Sequence, residues 1–112
     1  MARVLRGDVF WVDLEPGHGH EQHGSRPVLV LSNDLFNERS GIVIAVPITG
    51  SEPRAGFPLT LELPPASMPR RSWVKISQIR ALASERLRQK IGHLPPEELV
   101  AIIEGLNEII GA

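Results

Sequence analysis

The chain has 112 residues, no cysteine and a net charge of −1, which fits a single domain over residues 1–112 with a modest core. The absence of cysteine excludes disulfide frameworks, thiolate zinc sites and cysteine nucleophiles. No apolar stretch is long enough to cross a bilayer, and the N-terminus lacks the apolar segment of a signal peptide, so we expect a cytoplasmic protein without membrane contact.

Charge is distributed unevenly along the chain. Residues 66–93 carry seven basic side chains and one acidic side chain, whereas residues 94–112 carry four acidic side chains and no basic one. A basic patch can attract a phosphate backbone even on a nearly neutral protein. The alternative is a solvated basic surface that an acidic helix balances.

Residues 1–63 predict four strands separated by turns. Residues 9–14 are rich in β-branched and aromatic side chains, and Pro and Gly residues follow them. Two continuous apolar runs predict strands buried on both faces, at 27–32 and 42–46. One helical turn is expected at 33–37, and the alternation at 59–63 predicts a strand with one wet face.

The second half predicts one or two further strands and a helix. Residues 72–82 alternate between apolar and polar side chains, with Lys75 and Ser77 on the polar side. Residues 84–87 suit a helical turn, and residues 88–93 lead out of it with a break at Gly92. Apolar residues from 99 to 110 form one helical stripe after a proline pair. Together these elements predict a small, strongly bent sheet or partly open barrel with a C-terminal helix.

The segment 17–33 combines an ionisable loop with a buried strand, which is typical of a functional site on a rigid scaffold. It contains three of the four histidines, and His18, His20 and His23 could together bind zinc. A glycine-rich loop does not pre-form such a site, however, and we predict no metal. No nucleophile-elbow pattern surrounds any serine, which disfavours serine hydrolysis.

The same segment suits phosphodiester chemistry. The ribose 2′-hydroxyl of RNA can attack its own phosphate if a protein supplies a base, an acid and a cation. His20 or Glu21 could transfer protons, and Arg26 could bind the non-bridging phosphate oxygens. Thr49 could donate a further hydrogen bond, and no cofactor is needed. In the structural alternative, Glu21 and Arg26 form an ion pair that fixes the loop, and Thr49 caps a turn.

Four blocks of the sequence occur in a characteristic order, followed by Arg86, Leu87 and the terminal helix. They are RGDVFWV at 6–12, GHEQHGSRPVLVLS at 19–32, VPIT at 46–49 and SQIR at 77–80. In these blocks and in their order, the sequence resembles the MazF/PemK (Kid) toxin family.

The resemblance implies a bacterial toxin of a type II toxin–antitoxin system. Such toxins are ribosome-independent endoribonucleases that cut single-stranded RNA, chiefly mRNA, at short sequences. The implied fold is mainly β, an SH3-like small barrel or strongly bent antiparallel sheet with a C-terminal helix, and the implied assembly is a homodimer. The implied products carry a 2′,3′-cyclic phosphate and a 5′-hydroxyl, without a metal. A cognate MazE-like antitoxin would cover the RNA groove with an acidic, initially disordered segment.

The resemblance also implies roles for individual residues. Arg26 matches the arginine that stabilises the transition state, and Thr49 matches the family threonine. His20 and Glu21 occupy positions implicated in catalysis or RNA contact, and either could be the general base. Some members carry an acidic residue where this chain has Ser77, so a role for that carboxylate does not transfer, and Glu21 becomes the preferred base. The predicted RNA contacts are Trp11, Gln22, Lys75, Ser77 and Gln78.

Two alternative functions belong to other classes of protein. The first is a non-nucleolytic SH3-like binding module or a toxin relative that acts on gyrase. The second is a purely structural dimer unit. Intact RNA beside a tight protein complex would favour the first. The ionisable loop argues against the second.

Overall fold

The structure is a computed structural model that describes residues 3–111. Seven strands and two helices are present in those residues, together with two short 3-10 turns, Ile76–Gln78 and Ser84–Arg86. The strands are β1 Asp8–Asp13, β2 Ser25–Val30, β3 Ile42–Thr49, β4 Thr60–Glu62, β5 Trp73–Lys75, β6 Arg80–Ala83 and β7 Lys90–His93. The helices are α1 Asp34–Ser40 and α2 Pro96–Ile110.

All strands pair antiparallel, in the order β4-β5-β3-β2-β1-β7, and β6 also pairs with β3. The long strand β3 pairs with β6 through residues 42–45 and with β5 through residues 48–49. The sheet is not closed, since β4 and β7 end the order of strands. The predicted mainly β fold, an antiparallel sheet with a C-terminal helix, is therefore confirmed, in the form of an open sheet.

Two apolar clusters form the core, one on each face of the central strands. Val28 and Val30 point into one cluster, and Leu29 and Leu31 point into the other. All four side chains are at most 5% exposed, as the continuous apolar run predicts for a strand buried on both faces. The cluster that contains Leu29 also contains Leu99 and Ile102 of α2, so the predicted helical stripe packs on the sheet.

Helix α2 approaches the sheet closely at Gly105, which the sequence marks only as a weak helix position. Gly105 is buried, and a Cβ atom there would lie 2.8 Å from Ile76 Cδ1 and 3.0 Å from Phe57 Cε2. The glycine therefore lets α2 pack directly against the 3-10 turn at residues 76–78. That contact fixes a turn whose last residue, Gln78, reaches the predicted site.

Several element bounds differ from the prediction, whereas the one or two strands expected at 72–82 are two, β5 and β6. The helical turn expected at 33–37 is helix α1, which Asn33 caps by accepting a hydrogen bond from the Phe36 amide at 2.9 Å. The pattern at 72–82 is interrupted by the 3-10 turn, which separates β5 from β6. The prediction for 88–93 was wrong, because residues 90–93 form β7 and Gly92 lies opposite Val9 of β1. The five or six expected strands are seven. Neither helix in the described part of the chain is long and apolar enough to span a membrane.

Candidate active site

The loop between β1 and β2 is closed at its base by backbone and side-chain contacts. The Leu14 amide donates to the Gly24 carbonyl oxygen at 3.0 Å, and His23 Nδ1 lies 3.1 Å from Glu15 Oε1. The two sides of the loop cross so closely at Gly17 that a Cβ atom there would lie 2.4 Å from His23 Cβ. This closure makes residues 18–22 a protruding turn.

Within the turn, Glu21 determines the local conformation. Its Oε1 accepts a hydrogen bond from the His18 amide at 2.8 Å, and its own amide donates to the His18 carbonyl oxygen at 3.1 Å. Gly19 supplies the positive φ of +59° that this tight turn requires. Glu21 is exposed, and its Oε2 has no hydrogen-bond partner among residues 3–111. One carboxylate oxygen therefore holds the turn while the other faces solvent.

The turn forms one wall of an open concavity of about 740 Å³. Both proton-transfer candidates, His20 and Glu21, line it. The opposite wall comes from the 3-10 turn and the start of β6, so that residues distant in sequence meet there. The remaining lining residues are Pro16, His18, Gln22, Pro47, Ser77, Gln78, Ile79, Arg80 and Ala81.

Arg26 lies on β2 and lines a second concavity, of about 250 Å³. Its Nε donates to the His23 carbonyl oxygen at 3.1 Å, which holds the side chain beside the base of the loop. The ion pair between Glu21 and Arg26 that the structural alternative predicts does not form, and no carboxylate within residues 3–111 pairs with Arg26. The terminal nitrogens of its guanidinium therefore remain available to a phosphate.

Trp11 shares this second concavity with Arg26. It lies on β1 opposite Pro27 and is 41% exposed, so it is not a core aromatic side chain. Ile91 and Arg70 line the same space. An exposed indole beside two arginines is suited to hold an unpaired base next to its phosphate.

Thr49, like Lys75, is a predicted site residue that lines neither concavity. It is the last residue of β3, is 6% exposed, and pairs with Trp73. Its Oγ1 accepts a hydrogen bond from the Ser51 amide at 3.2 Å. The hydroxyl therefore caps the turn after β3, as the structural alternative describes, and it keeps its own proton for a further hydrogen bond.

Comparison with known proteins identifies the family. The family described as PemK-like, MazF-like toxin of type II toxin–antitoxin systems matches residues 5–110. The chain belongs to this toxin family. It is 39% identical over 106 residues to Endoribonuclease EndoA of Bacillus subtilis (strain 168), covering 93% of this chain and 91% of that protein.

Solved structures of toxins share the fold. The crystal structure of MazF from Deinococcus radiodurans superposes with a TM-score of 0.85 at 28% identity, over 100% of both chains. An endoribonuclease in complex with its cognate antitoxin, from a mycobacterial species, superposes with a TM-score of 0.79 at 27% identity, over 96% of this chain and 95% of that chain.

Three of the RNA contacts predicted for this toxin are hydrogen-bonded to each other or to the loop. Lys75 Nζ donates to Gln22 Oε1 at 3.1 Å. The Gln78 side chain bonds the loop backbone at two places, His20 and Gln22. Ser77 is exposed and lines the first concavity. The structure therefore brings Gln22, Lys75 and Gln78 together with the catalytic candidates of the turn.

The basic side chains at residues 66–93 do not all remain unpaired. Arg71 pairs with Glu62 through its Nε at 2.6 Å and lies over the Trp73 ring at 4.9 Å. This hydrogen bond lowers the pKa of the Glu62 carboxyl and raises the pKa of Arg71. Lys90 pairs with Asp8 at 3.1 Å. Five basic side chains of residues 66–93 form no ion pair with a carboxylate in the described chain, and two of them, Arg80 and Arg70, line the first and the second concavity, respectively.

Sequence reasoning assigned no catalytic or RNA-binding role to Arg70, Arg80 or Ile91, which line the concavities. Arg80 belongs to the SQIR block, so that block could have indicated it. Arg70 and Ile91 line the second concavity. Arg70 is one of the seven basic side chains at 66–93, so the charge pattern could have indicated it, whereas nothing around Ile91 marks that residue. The histidine cluster, by contrast, does not form, since no three His, Asp or Glu side chains between residues 3 and 111 converge as metal ligands would.

Proposed function

We propose that this toxin is a ribosome-independent endoribonuclease that cuts single-stranded RNA, chiefly mRNA, at short sequences. The supporting observation is the unpaired Arg26 guanidinium beside an exposed Trp11, at the foot of a loop whose tip carries Glu21 and His20. Family membership and the relationship to Endoribonuclease EndoA support the same activity.

The proposed reaction is transesterification by the substrate's own 2′-hydroxyl. Glu21 accepts the hydroxyl proton, and the 2′-oxygen forms a bond to the adjacent phosphorus as the 5′-oxygen leaves. His20, on the same turn, is the available acid that protonates the leaving oxygen. Arg26 stabilises the negative charge that develops on the phosphate. Thr49 is the proposed second donor, from its buried position one residue before Gly50 of the second concavity. The products are a 2′,3′-cyclic phosphate and a 5′-hydroxyl, and no metal or cofactor takes part.

The placement of these groups supports a substrate that extends along the loop. The segment 18–26 lines both concavities, with Glu21 at one and Arg26 at the other. An RNA strand that crosses this segment would contact both. Trp11, Gln22, Lys75 and Ser77 are the proposed RNA contacts along this path.

We further propose that the toxin is a single-domain, cytoplasmic homodimer inhibited by a MazE-like antitoxin. Apolar side chains of both helices are exposed, among them Phe36 at 39% and Val100 at 55%, and a second copy could cover them. A related mycobacterial endoribonuclease has been solved with its cognate antitoxin. An acidic antitoxin segment would complement Arg70 and Arg80 at the two concavities.

The test is cleavage of a long, unstructured RNA by the purified toxin in the presence of EDTA, with analysis of the product ends. We expect 2′,3′-cyclic phosphate and 5′-hydroxyl ends. Arg26→Ala should lower the rate by about 100- to 1,000-fold, because a preorganised donor to the transition state is lost. Arg39→Ala is the matched control, since Arg39 is an exposed arginine of α1 that lines neither concavity. Cleavage that depends on a divalent metal, or 3′-hydroxyl ends, would refute the mechanism.

A further inference from the structure

The tip of the loop is fastened to the sheet by two side chains. Gln78 Nε2 donates to the His20 carbonyl oxygen at 2.9 Å, and Gln78 Oε1 accepts a hydrogen bond from the Gln22 amide. Lys75 Nζ adds a bond to the Gln22 side chain at 3.1 Å. One primary amide therefore binds the backbone on both sides of Glu21.

The other hydrogen bonds of the loop do not fix the turn relative to the sheet. The two bonds between His18 and Glu21 are internal to the turn. The bonds at His23 and Gly24 lie at the base of the loop. In residues 3–111, Gln78 and Lys75 alone make hydrogen bonds from the β5–β6 region to residues 18–22. The direction in which Glu21 faces therefore depends on them.

Gln78 is itself held rigidly. It ends the 3-10 turn that begins at Ile76, a residue with 0% exposure. Helix α2 packs against Ile76 where Gly105 allows the close approach. The side chain that fastens the loop is thus mounted on the packed core, which is the arrangement that catalytic preorganisation requires.

Glutamine is suited to this double contact because its side chain carries a donor and an acceptor. A carboxylate could accept from the Gln22 amide but could not donate to the His20 carbonyl. One N–H of Gln78 and its side-chain oxygen both bind the loop backbone. The second N–H and the second lone pair of the oxygen take no part in these contacts, so only an experiment that separates positioning from RNA binding can define the role of Gln78.

We propose that Gln78 is a positioning residue, which holds the backbone of the His20–Glu21–Gln22 turn in its reactive place before RNA binds. Lys75 assists it through Gln22. This inference rests on the proposed function, and it assigns to Gln78 a role different from the direct RNA contact that the family resemblance implies. Its loss should lower kcat rather than weaken RNA binding, because a small misplacement of a catalytic group reduces the rate up to about 100-fold.

The experiment combines steady-state kinetics on a short RNA substrate with residue-specific amide hydrogen exchange in the free toxin. Gln78→Met keeps the length of the side chain and removes both hydrogen bonds. We expect kcat to fall by about 10- to 100-fold with little change in KM. The Gln22 amide should exchange roughly three to ten times faster, because it loses its acceptor.

Two further variants separate the contacts. Gln78→Glu keeps the acceptor for the Gln22 amide, so exchange there should stay close to wild type while kcat is still reduced. Ser77→Ala alters the neighbouring side chain, which makes no hydrogen bond in the described chain, and should leave Gln22 exchange unchanged. If Gln78→Met does not fold, Gln78→Glu carries the kinetic test.

A raised KM with unchanged kcat and unchanged Gln22 exchange would overturn the inference and make Gln78 an RNA contact. A wild-type toxin that cuts no RNA would instead refute the proposed function, and the positioning role with it. The two failures are distinguishable because the first requires an active wild type.

Discussion

Two carboxylates of this toxin have histidines nearby and opposite environments. Asp8 has 0% exposure; its Oδ1 lies 2.7 Å from His93 Nδ1 and 3.1 Å from Lys90 Nζ, and its Oδ2 accepts from the Leu5 amide at 2.9 Å. Glu21 is exposed, and only one of its oxygens is bonded within residues 3–111. The buried carboxylate of Asp8, with both oxygens bound, links strands of the sheet. The carboxylate of Glu21 keeps one oxygen without a partner in the described chain, as a general base would need.

The residues around Asp8 reinforce this difference. Arg6 Nε donates to the Leu31 carbonyl oxygen at 2.7 Å, and the Gly7 amide donates to the Val30 carbonyl oxygen at 2.8 Å. The Arg-Gly-Asp block therefore joins the start of β1 to β2 and β7. As a sequence it is as conspicuous as the Gly-His-Glu-Gln block, and only burial and completed hydrogen bonds tell a structural block from a reactive one.

The largest effect that this comparison predicts is on catalysis, at Glu21. Glu21→Gln keeps an oxygen for the His18 amide, so the turn should survive while the proposed base is lost. We expect kcat to fall by about 100- to 10,000-fold and the free energy of unfolding to change by no more than about 0.5 kcal/mol. Single-turnover cleavage and urea unfolding measure the two quantities.

His20→Gln is the companion variant on the same turn. Because His20 is the proposed acid, His20→Gln should also lower the rate, and the pH dependence of the rate separates the two roles. Loss of the base should remove the rise of the rate on the acidic side, and loss of the acid should remove the fall on the alkaline side. The reverse assignment of these limbs would make the imidazole of His20 the base.

The next effect is on stability, at Gly7. Its φ is +95°, and a Cβ atom there would lie 2.2 Å from the Leu94 carbonyl oxygen, which is backbone and cannot swing aside. Gly7→Ala should therefore destabilise the fold by about 3 kcal/mol or more, through backbone strain and overpacking. The measurement is the midpoint of urea unfolding, and a midpoint equal to that of the wild type would show that β1 does not depend on this approach.

Asp8→Asn tests the structural role of the buried Asp8 carboxylate, both of whose oxygens have partners. The amide nitrogen of asparagine must face one of the donors that the carboxylate oxygens now accept from, so one of these hydrogen bonds is lost. We expect a loss of about 2 kcal/mol in the free energy of unfolding, since the carboxyl of Asp8 is buried and bound by several neighbouring groups. The rate of RNA cleavage per folded molecule should stay near that of the wild type. A large loss of the cleavage rate without a loss of stability would make Asp8 a residue of the active site, and the contrast between a structural Asp8 and a catalytic Glu21 would then be wrong.

The sequence predicted best where one pattern decides the structure alone. The apolar run at 28–31 can be buried only as a strand covered on both faces, and the apolar stripe of α2 only as one face of a helix. Both patterns therefore predict the correct element. Strand β7 was not found, because Lys90-Ile91-Gly92-His93 has one large apolar side chain and owes its conformation to pairing with β1.

The site was predicted as a set of residues rather than as an arrangement. The loop block identified Glu21 and Arg26, but the concavities that separate them depend on residues more than 40 positions away in sequence, such as Arg70 and Gln78. The hydrogen bond from the Gln22 amide to Gln78 spans 56 residues. Periodicity and motif spacing carry no information about contacts of that range.

The smallest predicted effect is on stability, at Gly19 in the loop between β1 and β2. Gly19 shares the positive φ of Gly7 but has different surroundings. Its φ is +59°, and an added Cβ atom would meet no heavy atom within 4 Å. Gly19→Ala should therefore cost about 1 kcal/mol, the strain of a left-handed residue alone, with no overpacking term. Urea unfolding of the two alanine variants side by side measures the difference. If Gly19→Ala destabilised the toxin as much as Gly7→Ala, positive φ alone would explain both losses, and the close packing inferred at the start of β1 would be wrong.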